Sequence, residues 1–374
     1  MLLPKRWVLN PNKLIVVKLS SLAVTKPAGL IDRGKIKTIV SDLMNLETSG
    51  YQVVLVCSGA VNAGKKCIEN FSKLEMSSLQ ASSAVGQPFI IQEFSRELKK
   101  YKKNVAQVLL THEDFKHRKR SLNIRSSLFQ LLHNHILPIV NENDTVSFDE
   151  IAFGDNDQLS ALICELMNAK LLCMLTGADG LYDRSPDEEG AKKFKKVLFD
   201  QEFTEIDLAK KSLTGRGGML TKLEAVRKLT PLGIDVYIAS YDFEQPITRA
   251  ILDKEGTWFE GQNKKLTAKK SWILTRTKSG ASLQIDLGAK QALLKNSSLL
   301  PVGVKSVRGK FLRGDCIAIK YQNETIAFGI TEYSSLEVEK IKKLKSSDLN
   351  TAIKNPHSKV IIHKNNLILK KKLT

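Results

Sequence analysis

Six short apolar runs rich in β-branched residues recur along the chain, at 14–19, 53–57, 105–110, 136–140, 171–175 and 234–238. A run of five or six such residues without polar alternation suits a strand covered on both faces. Between them lie stretches of helical character. Residues 31–47 carry apolar side chains at helical spacing and stop before Gly50. Residues 155–167 place Leu159, Leu162, Ile163 and Leu166 on one face, with Asp155 as the N-cap. The alternation predicts the α/β class, a three-layer α/β/α sandwich with a mainly parallel sheet. Ligands of such sheets sit at the carboxyl ends of the strands, so the strand exits are the places to look for chemistry.

The pattern changes near residue 261. After a polar, Lys-rich linker at 261–270, the runs 272–274, 282–286, 303–307, 316–321, 325–330 and 360–363 are short and broken by Gly, Asp and Asn. With one helical stretch at 336–344, they predict a small β-rich domain. The reading is therefore of two domains, 1–261 and 270–374. Charge divides at the same place: residues 262–374 hold 23 Lys and Arg against 7 Asp and Glu, and residues 1–261 hold 35 against 32. Most of the net charge of +19 thus belongs to the second part. Such a domain suits an anionic partner such as RNA, and equally a plain lysine-rich surface. No apolar run approaches the length of a membrane span, and residues 1–11 carry basic residues with no apolar stretch behind them, against a secretory leader. Cys57, Cys67, Cys164, Cys173 and Cys316 share no metal-ligand spacing and read as reduced core residues of a cytoplasmic protein.

Five strand exits are more polar than solvation requires. At the first, Lys18 ends an apolar run and is followed by Ser20 and Ser21; a lysine in a buried strand needs a charged partner, and a phosphate is one. At the second, Ser58-Gly59-Ala60 opens a helix whose amides face an anion as readily as they form a simple turn. The third is the densest: Asn141, Glu142, Asn143 and Asp144 follow one run, and Asp155, Asn156 and Asp157 open the next helix, bracketing an expected hairpin. Amides and carboxylates at that density read the ammonium and carboxylates of an amino acid, or orient lysines near a phosphate. The fourth exit, Thr176-Gly177-Ala178-Asp179-Gly180, enters a glycine-containing loop. The fifth, Gly215-Arg216-Gly217-Gly218-Met219-Leu220-Thr221-Lys222, leads a glycine-rich turn into a helix without the Walker A spacing.

In this order, VVKL, VCSGAVNAG, SAVGQ, PIVNENDTVSFDEI, FGDNDQLSAL and GGMLTK resemble the amino acid kinase family, and within it the members that phosphorylate free glutamate; the similarity runs from Leu14 to about Phe259. From Trp272 onward, the segments beginning at Ile285, Ser298 and Phe311 resemble a PUA domain. The resemblance implies ATP-dependent phosphorylation of the side-chain carboxylate of glutamate, the first step of proline synthesis. It implies Lys18 and Lys222 as the cations that neutralise the moving group, with Asp157 orienting them. Ser58, Asp144 and Asn156 match glutamate-binding positions, Asp144 toward the ammonium and the other two toward carboxylate oxygens. Lys18, Thr176, Gly177, Arg216, Gly217, Gly218, Met219 and Lys222 match nucleotide-binding positions. Mg²⁺ would come with the nucleotide, without a protein metal site. The family further implies a homodimer or homotetramer, feedback by proline, and action beside glutamate-semialdehyde dehydrogenase.

The chain departs from the family pattern at three positions. Ser20 stands where a glycine is usual, which would strain a left-handed backbone. Gly177 stands where an aspartate is usual, and Arg216 where a threonine is usual. Two other readings are a family kinase acting on acetylglutamate, aspartate or a nucleotide, and an RNA-binding protein on a silent kinase fold.

Overall fold

The computed structural model describes residues 13–146, 156–186, 188–198, 218–262, 273, 277–322, 324–345, 348–353, 356 and 358–370. The chain divides into two compact units, Met1–Asn263 and Lys264–Thr374.

The first unit is built on an eight-stranded sheet. Its strands are β1 (Leu14–Leu19), β2 (Gln52–Cys57), β3 (Val105–Leu110), β4 (Leu137–Glu142), β5 (Leu171–Thr176), β8 (Lys196–Val197), β9 (Asp235–Ser240) and β10 (Thr257–Phe259). The remaining two, β6 (Leu181–Tyr182) and β7 (Lys193–Phe194), pair with each other beside it. The order across the large sheet is β3-β4-β2-β1-β5-β9-β10-β8. From β3 to β9 every neighbouring pair is parallel, whereas β10 runs against β9 and β8 lies parallel to β10. Parallel neighbours require crossovers, which the helices supply. These are α1 (Ser21–Val24), α2 (Arg33–Thr48), α3 (Ala60–Gly64), α4 (Met76–Lys99), α5 (His112–Lys116), α6 (Arg118–His133), α7 (Asn156–Met167), α8 (Met219–Leu229) and α9 (Pro246–Ile251).

The all-buried run of β1 has two apolar faces because both are covered. Ile15, Val17 and Leu19 belong to the core packed by Ile36, Ile39 and Leu43 of α2. The opposite face, which carries Lys18, receives α7. Alternation along one strand thus sends its single lysine to the α7 side. Asp32 caps α2, accepting from Lys35 N at 3.1 Å. The helix ends at Thr48, two residues before Gly50, whose φ of +82° only glycine adopts readily.

Helices α3 and α4 touch backbone to backbone. A Cβ on Gly64 would lie 1.9 Å from Ser82 O, and one on Gly86 would lie 1.9 Å from Ala60 O. Any larger residue would force the two helices apart, so this pair fixes α4 behind the β2 exit.

In the second unit five strands, β11 (Thr277–Ile285), β12 (Val304–Arg308), β13 (Cys316–Tyr321), β14 (Glu324–Ile330) and β15 (Leu367–Leu369), run in the order β12-β11-β13-β14-β15. Leu283, Ile317, Ile319, Tyr333, Ile341 and Ile361 share their core. The helix α10 (Leu287–Leu294) follows β11, and α11 (Ser335–Ile341) starts on a capping box of Ser334 and Glu337. The strand expected at 360–363 is reduced to a single bridge between Leu299 and Ile362. His363 instead accepts from Asn365 N at 3.2 Å and turns the chain into β15. Of the run 272–274, Trp272 and Leu274 lie outside the described residues; Ile273 is a buried residue in helical conformation.

Four cysteines are buried and Cys67 is exposed, which corrects the reading of all five as core residues. Among the described residues no helix is long and apolar enough to cross a membrane.

Candidate active site

Three charged side chains meet under the exits of β1 and β5. Lys18 Nζ lies 2.7 Å from Asp157 Oδ1, and Lys222 Nζ lies 3.1 Å from Asp157 Oδ2. Lys18 comes from the middle strand, Asp157 from the first turn of α7 and Lys222 from the first turn of α8. Burial alone would push the Asp157 carboxyl up; the Lys18 and Lys222 ammonium groups and the Thr221 hydroxyl outweigh it and hold the carboxyl well below the usual carboxylate range. Two ammonium groups face this one carboxylate, with all three residues at most 5% exposed. Buried ammonium groups are costly unless anions lie close by, so the chemistry of this cluster suits an anion such as a phosphate.

Thr221 is part of this cluster, although nothing in its sequence context marks it as a site residue. Its Oγ1 lies 2.8 Å from Asp157 Oδ2 and 2.9 Å from Gly218 O, joining the carboxylate to the start of α8. Asp157 is held on the other side by its own helix, where Ser160 Oγ donates to Asp157 O at 2.6 Å.

A second cluster lies at the β2 and β4 exits. Asn156 Nδ2 donates to Ser58 Oγ and to Asn141 Oδ1, each at 2.9 Å. Asn141 Oδ1 also accepts from Glu142 N at 2.9 Å. Asn156 Oδ1 is enclosed and has no partner among the described residues. With both N–H bonds engaged, Asn156 offers a ligand an acceptor rather than the donor expected for a carboxylate. The Ser58 hydroxyl accepts from Asn156 and keeps its own proton to donate. Gly59, at φ +107°, makes the turn that carries Ser58 into α3. Asp144 accepts from Ser83 Oγ of α4.

Ser83 was not foreseen as a site residue. The available signal was its place on α4: it is buried while its helical neighbours Ala81 and Ala84 are exposed, so a hydroxyl faces inward without an apolar reason. Asn141 stood in a polar cluster but carried no individual role.

The nucleotide-side expectations are placed less tightly. Thr176 ends β5, and its carbonyl accepts from Tyr241 N at 3.0 Å. A Cβ on Gly177 would lie 3.3 Å from the Tyr241 hydroxyl, so this position faces the β9 exit rather than the lysine pair. Gly218 is the N-cap of α8, with open space where a side chain would stand, and Met219 begins the helix. Arg216 and Gly217 lie outside the described residues, as do Asp155 and the hairpin expected between the two polar clusters. Ser20 has φ −70° and ψ 163°, extended geometry open to any residue, so the strain considered for it is absent.

Comparison with known proteins adds to this geometry. The amino acid kinase family matches residues 13–240, and the PUA domain matches residues 281–353. A glutamate 5-kinase from Dictyoglomus turgidum is 40% identical over 370 residues, covering 96% of this chain and 98% of the relative. One from Dictyoglomus thermophilum is 38% identical at the same coverage. Among solved structures, carbamate kinase from Giardia lamblia bound to AMP-PNP superposes with a TM-score of 0.50 at 17% identity, covering 67% of this chain and 99% of that one. That likeness bears on the fold alone.

Proposed function

This chain belongs to the amino acid kinase family, among its glutamate 5-kinases, and from that premise we propose that the two clusters are the phosphoryl and glutamate sites of one reaction. The chain phosphorylates the side-chain carboxylate of L-glutamate at the expense of ATP, giving glutamyl 5-phosphate in the first step of proline biosynthesis. The observation that carries the site assignment is the buried Lys18–Asp157–Lys222 cluster beside the Ser58–Asn156–Asn141 network.

A carboxylate oxygen of glutamate forms the new bond to the γ-phosphorus. The bond from phosphorus to the β,γ-bridging oxygen breaks, and its electron pair leaves with ADP. No general base is needed, because the attacking carboxylate is ionised at neutral pH. The transition state is loose and asks mainly for alignment and charge neutralisation. Lys18 and Lys222 supply the positive charge, and Asp157 fixes their positions before substrates arrive, so little reorganisation is left for the reaction. Asp144 and the free acceptor of Asn156 suit the ammonium of glutamate, and the Ser58 hydroxyl suits a carboxylate oxygen.

Thr176, Gly177, Arg216, Gly217, Gly218 and Met219 are proposed on the nucleotide side. Asp157 already faces two lysines, and no cluster of three His, Cys, Asp or Glu able to hold a metal occurs among the described residues. These residues fit a Mg²⁺ carried by the nucleotide's own phosphates, where it would neutralise charge. We assign residues 1–261 to the kinase domain and 270–374 to the PUA-like domain. A cytoplasmic homo-oligomer, feedback by proline and proximity to glutamate-semialdehyde dehydrogenase, which would consume the labile acyl phosphate, complete the proposal.

The test is coupled ADP release with glutamate, aspartate and acetylglutamate, with and without proline. Turnover with glutamate is expected to exceed that with the other two by orders of magnitude. Equal turnover with aspartate or acetylglutamate would contradict the acceptor assignment. A second reading, in which the basic second unit meets RNA, rests on its surplus of positive charge and is tested by gel shift with the full chain.

A further inference from the structure

We propose that the hydroxyl of Ser20 is a direct ligand of the phosphoryl group in transit; this rests on the kinase reading above. The order β4-β2-β1-β5-β9 places the proposed glutamate residues at the exits of β4 and β2, and the proposed nucleotide residue Thr176 at the exit of β5. The exit of β1 lies between them. In-line transfer puts the moving group between acceptor and donor, hence over β1. Ser20 is the residue immediately beyond that strand.

Backbone geometry sets the direction of its side chain. Ser20 is extended, so it continues the alternation of β1 and faces the same side as Lys18, about 7 Å further along. Asp157 and Lys222 lie on that side. The backbone groups of Ser20 are committed: its N–H donates to Leu175 O at 3.1 Å, and its carbonyl accepts from Ala23 N at 3.0 Å. Its hydroxyl is not. The oxygen is enclosed, makes no cap to α1, and has no partner among the described residues. An enclosed hydroxyl without a partner costs free energy and calls for an explanation. A non-bridging oxygen of the moving phosphoryl group is the acceptor that this position offers. Rotation about χ1 turns the hydroxyl toward that oxygen without moving the backbone. The hydroxyl keeps its proton throughout and only donates a hydrogen bond.

The test uses full-length Ser20→Ala and Ser20→Gly beside the wild type. In both variants kcat for glutamate-dependent ADP release is expected to fall about tenfold or more, the effect of one lost hydrogen bond to a charged group, with an unchanged or higher melting temperature. A second readout locates the contact. The thermal shift produced by Mg²⁺, ADP, aluminium fluoride and glutamate together, a mimic of the group in transit, should shrink in both variants, while the shift with Mg²⁺ and ADP alone stays at the wild-type value. Wild-type kcat in either variant would overturn the proposal. So would an equal loss of the ADP shift, which would place the hydroxyl on the nucleotide, or a fall in melting temperature that accounts for the lost activity. A wild type without glutamate-dependent turnover would instead break the kinase reading itself.

Discussion

On the β2–β4 side of the sheet, the polar side chains hold one another: Asn156 bonds Ser58 and Asn141, and Ser83 bonds Asp144. On the β5–α8 side, the described positions are mostly backbone and glycine, with Lys222 and Thr221 anchored to Asp157. An amino acid differs from its competitors in where it carries polar groups, and it is read by side chains fixed in advance. A polyphosphate is the same on every nucleotide, and charge with open backbone suffices to hold it. Specificity is thus assigned to one side and rate to the residues between.

Asp157→Asn should disturb the middle most. Two buried lysines lose their counter-charge, and removal of one partner of a buried ion pair typically costs about 3–5 kcal/mol; chemical denaturation would measure it. The pH dependence follows from the same carboxyl. Because Asp157 is held below its ordinary value in the fold, it binds fewer protons folded than unfolded at mildly acid pH. Its stabilisation is therefore complete above the unfolded value near ~4 and drains away as pH falls below it. The stability gap between wild type and Asp157→Asn should be constant from about pH 6 to 8 and should narrow only in acid.

Lys222→Ala should lower kcat by about 10²- to 10³-fold, the usual effect of removing one electrostatic contact to a transition state. Its melting temperature should change little, because the variant leaves the buried Lys18–Asp157 pair in place. Near-normal turnover would remove Lys222 from the mechanism. On the acceptor side, Ser83→Ala should raise KM for glutamate about tenfold while KM for ATP stays constant; a shift in the ATP value instead would erase the contrast between the two sides. The smallest effect is expected at Gly177. Its added Cβ meets the Tyr241 side chain, nearest at the hydroxyl at 3.3 Å, so Gly177→Ala should change KM for ATP by less than about twofold, within the range of a surface substitution.

The sheet was legible because its central strands are unbroken apolar runs; β1 and β3 fall on the expected residues. Lys18 and Asp157 were legible as charges where a buried strand and a helix start do not otherwise need them. Ser83 was not, since its partner Asp144 comes 61 positions later and a buried serine in a helix has several ordinary explanations. Thr221 reaches Asp157 across 64 positions, so adjacency in sequence could not suggest the bond. Ser20 is visible in the sequence as a departure from the usual glycine, whereas its enclosed, unpartnered hydroxyl shows only in the geometry.

On the proposed function, the side-chain carboxylate of glutamate becomes an acyl phosphate at the Lys18–Lys222 pair. Trapping the product with hydroxylamine tests it directly. The full chain with glutamate, ATP and Mg²⁺ should form the side-chain hydroxamate in amounts equal to the ADP released, and Lys222→Ala should lose both together. ADP release without hydroxamate, or a hydroxamate formed at the α-carboxylate, would contradict it.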